Sequence, residues 1–172
     1  VRINARIEGL EQAQQALARL RETGAKLRPL MQVIAQDLES STRLRFQDGR
    51  DPSGKPWLPL SVATRFARAK RAAGGRVYTG SRRRTTAAFT RAYLGNMQPL
   101  LDTGRLRNSI TSRYGGDYAE VGTNVVYAPI HQFGGKAGRG VNIPARPFIG
   151  MSADDRALVV ERLRQHILGE AR

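Results

Sequence analysis

The sequence predicts an α+β fold: an N-terminal strand and helical hairpin, a small antiparallel sheet, a C-terminal helix, and a long basic loop or arm in the middle. Three patterns predict it. Apolar residues alternate with polar ones at the start, recur with helical spacing over several longer stretches, and fall into short strand-like runs between glycine turns after residue 110. A chain of 172 residues, 40% of them hydrophobic, fits one domain with a real core. Residues 1–172 therefore read as a single domain with a basic irregular insertion at about 65–95.

The first element is a half-buried strand, because Val1, Ile3, Ala5 and Ile7 alternate with Arg2, Asn4 and Arg6. Leu10 to Glu22 follows as a helix with Leu10, Ala13, Leu17 and Leu20 on one face, stopped at Thr23-Gly24. A second helix is expected from Pro29 to about Phe46, with Leu30, Val33, Ile34 and Leu38 inside and Asp37, Glu39, Arg43 and Arg45 outside. The turn formers of Asp48-Gly49-Arg50-Asp51-Pro52-Ser53-Gly54-Lys55-Pro56 end it. Pro56 and Pro59 then keep the chain extended around Trp57 and Leu58. A short helix from Ser61 to Ala73 takes Ser61 as its N-cap. Residues 74–93 hold Gly-Gly, Thr-Gly and an arginine triplet with few large apolar side chains, and read as a loop or hairpin that orders on contact with a partner.

Regular structure resumes near Leu100. Residues 101–110 read as an Asp- or Thr-capped helical turn with Leu106 and Ile110 on one face. Thr111–Tyr114, Tyr118–Gly122 and Val125–Tyr127 have strand composition, with turns at Gly115-Gly116-Asp117 and Thr123-Asn124. A short apolar turn, Ala128–Phe133, leads to a loop over Gly134–Gly140, taken to be a mobile basic tip, and Pro144–Phe148 is extended. The last helix spans Ser152–Gly169, with Ser152 as cap, Asp154 and Asp155 in the first turn, and Leu158, Val159, Leu163 and Ile167 on the buried face.

Charge is unevenly placed. Of the net +15, ten positive charges and no negative one lie between Pro52 and Leu101: Lys55, Arg65, Arg68, Lys70, Arg71, Arg76, Arg82, Arg83, Arg84 and Arg91. Such a field attracts polyanions and repels copies of itself, so the segment should face nucleic acid, an acidic protein surface or solvent. The absence of cysteine excludes disulfides, thiolate metal sites and cysteine nucleophiles. No apolar run approaches the roughly 18 residues needed to cross a bilayer, and the first residues lack a signal-peptide pattern, so a soluble protein made in the cytoplasm is expected.

Few residues point to chemistry. His131 and His166 lack metal-site spacing, and Ser109, His131 and Asp102 form a triad on paper only, since no nucleophile elbow surrounds Ser109. His131 and Gln132 are better placed to hydrogen-bond backbone groups in a tight turn. Gly135-Lys136-Ala137-Gly138-Arg139-Gly140 lacks the Gly-Lys-Ser/Thr ending of a phosphate loop. Gly104, Gly122, Gly134 and Gly135 are expected at backbone turns of positive φ. Trp57 is either an interface anchor on a rigid arm or a lid on the core.

Four segments carry a family resemblance: Phe46–Thr64 around Asp-Gly-Arg-Asp-Pro-Ser-Gly-Lys-Pro-Trp, Leu100–Ile110 with Leu-Leu-Asp-Thr-Gly-Arg-Leu, Val121–Gly135 with Tyr-Ala-Pro-Ile-His-Gln-Phe-Gly, and Pro144–Gly150 with Pro-Ala-Arg-Pro-Phe-Ile-Gly. In this order they resemble the phage virion morphogenesis family, which includes Mu-like G proteins and P2-like tail-completion proteins. The resemblance implies a structural virion protein of a tailed bacteriophage: a head-tail connector or neck subunit, or a tail-completion or tail-terminator subunit. It implies assembly in the bacterial host cytoplasm, a place in the neck or upper tail of the virion, and a homohexameric ring contacting neighbouring neck, tail-tube or connector proteins. It implies neither catalysis nor a cofactor, and no membrane partner. Within that picture Trp57, Leu58, His131, Phe133, Arg146 and Phe148 are candidates for the subunit interface. The basic arm of Arg65, Arg68, Lys70, Arg71, Arg76, Arg82, Arg83, Arg84 and Arg91 would meet either an acidic protein surface or phage DNA in the lumen. Protein contact is favoured, because tight phosphate binding would slow DNA passage. The rival readings are a free-standing nucleic-acid-binding protein, which the high pI suggests but no readout motif supports, and, more remotely, a hydrolase.

Overall fold

A computed structural model describes residues 27–80, 84–138 and 140–170. The expected first strand, the expected helix over Leu10–Glu22, and Arg82, Arg83 and Arg139 lie outside the described residues. Helix α1 (Leu27–Asp48) is the backbone of the body. Its inner stripe of Leu27, Leu30, Met31 and Ile34 packs on the C-terminal helix, and Phe46 enters the main core. Val33, expected inside, is exposed, because the stripe follows the helical period through Leu30, Ile34 and half-buried Leu38 and leaves Val33 to one side. The same period carries Arg45 inward, against the expectation that it faces solvent.

After α1 the chain closes a tight loop. Asp51 Oδ1 accepts from the Ser53 and Lys55 backbone N–H groups and from Ser53 Oγ, and Trp57 N–H donates to Gly49 O at 2.8 Å. Helix α2 (Val62–Ala72) starts as expected, with Ser61 Oγ accepting from the Thr64 N–H. The expected irregular stretch is folded in its described part. A hairpin of β1 (Tyr78–Thr79) and β2 (Arg84–Thr85) leads into helix α3 (Ala87–Leu94), capped by Thr86 Oγ1 accepting from Phe89 N–H. Phe89 supplies what the composition hid: one aromatic at the right place closes a small core with Ala69 and Val77, edged by Ala73, Ala92, Tyr93 and Met97. We call α2, the hairpin and α3 the arm.

The chain re-enters the body at Leu100, which is buried and held at φ 60°, a conformation costly for a branched side chain. Helix α4 (Arg105–Asn108) is capped by Gly104 at φ 76° and not through a side chain, because Asp102 is engaged with the arm. Strands β3 (Ile110–Tyr114) and β4 (Ala119–Thr123) pair antiparallel, Ile110 opposite Thr123 and Tyr114 opposite Ala119, and lie across α1. Gly122 is an ordinary β4 residue, while Gly104, Gly134 and Gly135 do take positive φ. Val125–Tyr127 is not a strand; it turns into helix α5 (Ala128–Phe133), with a Pro in the first turn. The expected Gly134–Gly140 loop is largely a hairpin, β5 (Gly135–Ala137) against β6 (Val141–Ile143). Helix α6 (Ala153–Glu170) is capped reciprocally: Asp155 N–H donates to Ser152 Oγ, and Ser152 N–H to Asp155 Oδ2. It buries Val159 and Leu163, whereas Leu158 is turned outward and the Ile167 side chain lies outside the described residues.

Candidate functional site

Four sequence-distant segments meet in one place. Phe46 and Trp57 from the first, Leu100, Leu106 and Ile110 from the second, Val125 and Ala128 from the third, and Phe148 and Ile149 from the fourth form the main core. Phe46 is its centre, with Trp57 edge-on at 5.7 Å and Phe148 at 5.3 Å. The extended segments 56–60 and 144–150 form no sheet with one another, so their backbone groups need side-chain partners. Trp57 Nε1 donates to Pro147 O at 2.8 Å, and Arg146 donates to Leu58 O and Pro59 O at 2.8 and 2.9 Å. Gln132 fills the gap from α5: its Oε1 accepts from Phe148 and Ile149 N–H, and its Nε2 donates to Ile149 O. Arg45 donates to Phe148 O and Gly150 O and to the Asp155 carboxylate. The result is a cross-braced platform made of proline-rich, irregular backbone.

Two titratable groups report on it. Burial works to raise the Asp155 pKa, yet hydrogen bonds from Ser41 and Ser152, with Arg45 beside it, hold the carboxyl below its usual range. Burial lowers the His131 pKa, and the nearby Arg146 and Arg68 guanidiniums lower it further, so the imidazole is kept neutral. His131 accepts at its backbone oxygen from Arg146 N–H, and its Nδ1 is buried without a hydrogen-bond partner, so the expected backbone bonding by side chain falls to Gln132.

The arm is fastened to this platform by arginines. Arg71 and Arg68 both pair with Asp102, Arg68 also donates to Gln98 O, and Gln98 Nε2 donates to Gln47 O on α1. Within the arm, Arg65 donates to Tyr93 O at 2.7 Å and lies over the Tyr93 ring. A cleft of about 460 Å³ runs along this junction, lined by Gln47, Arg68, Met97, Gln98, Leu101 and Asp102. The triad reading finds no common site. Ser109 Oγ donates to Leu106 O and hydrogen-bonds Thr123 Oγ1, while Asp102 faces the arm's arginines.

The arrangement joins all four motif segments in one core. The chain matches the phage virion morphogenesis family over residues 9–95 and 61–168. The chain belongs to that family. It is 36% identical over 166 residues to the Mu-like prophage FluMu G protein 2 of Haemophilus influenzae, covering 95% of each chain. It is 39% identical over 67 residues to the putative capsid assembly protein G of Escherichia phage Mu, covering 37% of this chain and 43% of that one. No solved structure matches it.

In this virion morphogenesis protein the expected site residues separate into two groups. Trp57, Arg146 and Phe148 are buried in the chain's own core, so Trp57 acts as a core lid, and His131 is half-buried. Leu58 and Phe133 stand out from the platform, 57% and 67% exposed. Of the arm, Lys70, Arg71, Arg76, Arg84 and Arg91 are exposed, whereas Arg65 and Arg68 are partly covered. Sequence reasoning missed Arg45, Asp155 as its partner, and Asp102 as the arm's fastening. Arg45 carried a signal, since 34, 38, 41 and 45 continue one helical stripe. Asp102 carried none, because its partners lie 31 and 34 residues away in sequence.

Proposed function

We propose that this phage assembly protein is a ring-forming subunit of the head-to-tail junction, a neck or tail-completion component of the virion, with six copies closing a homohexamer that seats neighbouring tail-tube or connector proteins. The observation that carries the reading is uncovered apolar surface around a braced platform. Val126 is 86% exposed and lies beside exposed Tyr127, immediately before α5; Phe133 ends the same helix, and Leu58 leaves the segment that Arg146 and Trp57 tie down. Single exposed apolar residues are ordinary, but several on one rigid substructure make a surface that association would bury. A ring needs two unlike complementary patches per subunit. The second is supplied by Val62 and Phe66 at the start of α2 and Leu94 at the end of α3, all exposed.

Native mass spectrometry of the purified full chain tests this. The wild type is expected as a closed oligomer, and Leu58→Glu with Phe133→Glu as monomers with an unchanged far-UV spectrum. A wild type that stays monomeric over the micromolar range removes the ring. Host cells carrying the phage with this gene disrupted should accumulate filled heads and separate tails; joined, infectious particles would remove the junction role.

A further inference from the structure

We propose that the end of the arm carrying Lys70, Arg76 and Arg84 is a contact for the phosphate backbone of double-stranded DNA, made by those three residues. The inference goes beyond the ring reading and does not depend on it. The structure divides the arm's described charges into engaged cations, free cations gathered at one end, and Arg91, exposed on α3. Arg65, Arg68 and Arg71 are engaged with Tyr93 O, Gln98 O and Asp102, and the arm's ion pairs among the described residues all go to Asp102. Lys70, Arg76 and Arg84 are exposed, and among the described residues their side chains make no hydrogen bond or ion pair.

These three converge on one end. Lys70 lies in the last turn of α2, Arg76 in the connection that follows, and Arg84 in β2 opposite Thr79. The end is held in shape by Thr86, whose N–H donates to Val77 O and whose Oγ1 donates to Arg76 O while capping α3. Its other exposed groups are Tyr78, Thr79, Thr85 and the glycines 74, 75 and 80. Hydroxyls, ammonium groups and guanidiniums are phosphate-contacting chemistry. A protein partner would need an apolar centre. Val62, Phe66 and Leu94, large exposed apolar side chains of the arm, lie instead in the first two turns of α2 and the last residue of α3, and the exposed Tyr78 at this end carries a hydroxyl. No acidic residue occurs from Pro52 to Leu101, so nothing in the segment itself competes for the three cations. Contacts of this kind ignore sequence and weaken steeply with salt, which lets DNA be touched without being held.

Fluorescence anisotropy of a labelled duplex with the purified full chain, across a salt series, tests the proposal, with the oligomer mass recorded for each variant. Three phosphate contacts per site predict an affinity falling about forty-fold from roughly 50 to 200 mM salt. The triple variant Lys70→Gln, Arg76→Gln, Arg84→Gln is expected to keep its mass and melting temperature and to lose most of that dependence. A charge-matched body variant, Arg113→Gln, Lys136→Gln, Arg164→Gln, is expected to bind as the wild type does. A wild type without salt-dependent binding, a triple variant that binds normally, or a body variant that loses as much overturns the proposal. So does polyglutamate of matched charge displacing the protein as well as unlabelled duplex, since an acidic polypeptide is then an equal partner. A monomer that binds DNA through these residues would remove the ring and leave this inference standing; a ring that ignores DNA would do the reverse.

Discussion

In the body, Arg45 and Arg146 are buried and give their donors to backbone carbonyls of segments that no sheet or helix satisfies. In the arm, Arg76 and Arg84 stand in solvent, and Arg71 reaches a single surface carboxylate. The same side chain is a staple in the body, and along α2 at Arg65 and Arg68, but a free charge at Arg76 and Arg84. What differs is the backbone around it. The platform is irregular chain packed on an aromatic core, so its carbonyls would be orphaned without a multi-donor side chain. At the hairpin end of the arm the backbone supplies its own partners, leaving Lys70, Arg76 and Arg84 unassigned. The arm's core also has one buried aromatic, Phe89, where the body has Phe46, Trp57 and Phe148.

The contrast is broken most severely at Arg45. Arg45→Ala leaves Asp155, 4% exposed, without its cation, and should cost about 3–5 kcal/mol by chemical denaturation. Arg45→Met with Asp155→Leu should recover part of that, but not all, because Phe148 O and Gly150 O still lack their donor. The Asp155 pKa is depressed in the folded protein, so its contribution is complete above the ordinary carboxylate range and is lost as the pH falls through the native value. In Asp155→Asn this acid-side decline should be shallower.

Gln132→Leu comes next. It keeps the size of the side chain but orphans Phe148 N–H, Ile149 N–H and Ile149 O, at roughly 2–4 kcal/mol, again read from denaturation midpoints. In the arm the effects should be smaller and local. Thr86→Ala removes the α3 cap and the bond to Arg76 O, costing about 1 kcal/mol and speeding amide exchange over 77–94 while protection in α1 is unchanged. An equal loss of protection in α1 would mean that arm and body unfold as one unit. Arg71→Gln should be the mildest, under about 1 kcal/mol, since its pair with Asp102 is open to water; added salt should erase even that difference.

Local pattern determined a good part of this protein. The positions of α1 and α6 follow from apolar spacing, those of β3 and β4 from strand composition between glycine turns, and α2 with the Ser61 and Ser152 caps from short-range chemistry that needs no distant partner. The family was equally legible, because its motifs are turn formers, prolines and glycines whose roles are set by neighbours in the chain; Gly134, at φ 74° with Ala145 N where a side chain would sit, is such a residue. Only the tertiary structure decided the rest. Arg45 reads as a surface charge and Arg146 as an interface candidate until the fold brings carbonyls around both and Asp155 beside Arg45, and Trp57 could be lid or anchor until Phe46 and Pro147 O close on it. The arm's helix α3 was hidden because its core depends on Phe89 meeting Ala69 and Val77. Periodicity and capping act within a few residues, whereas the pairing of a buried charge is a property of distance in space, and sequence separation does not encode it.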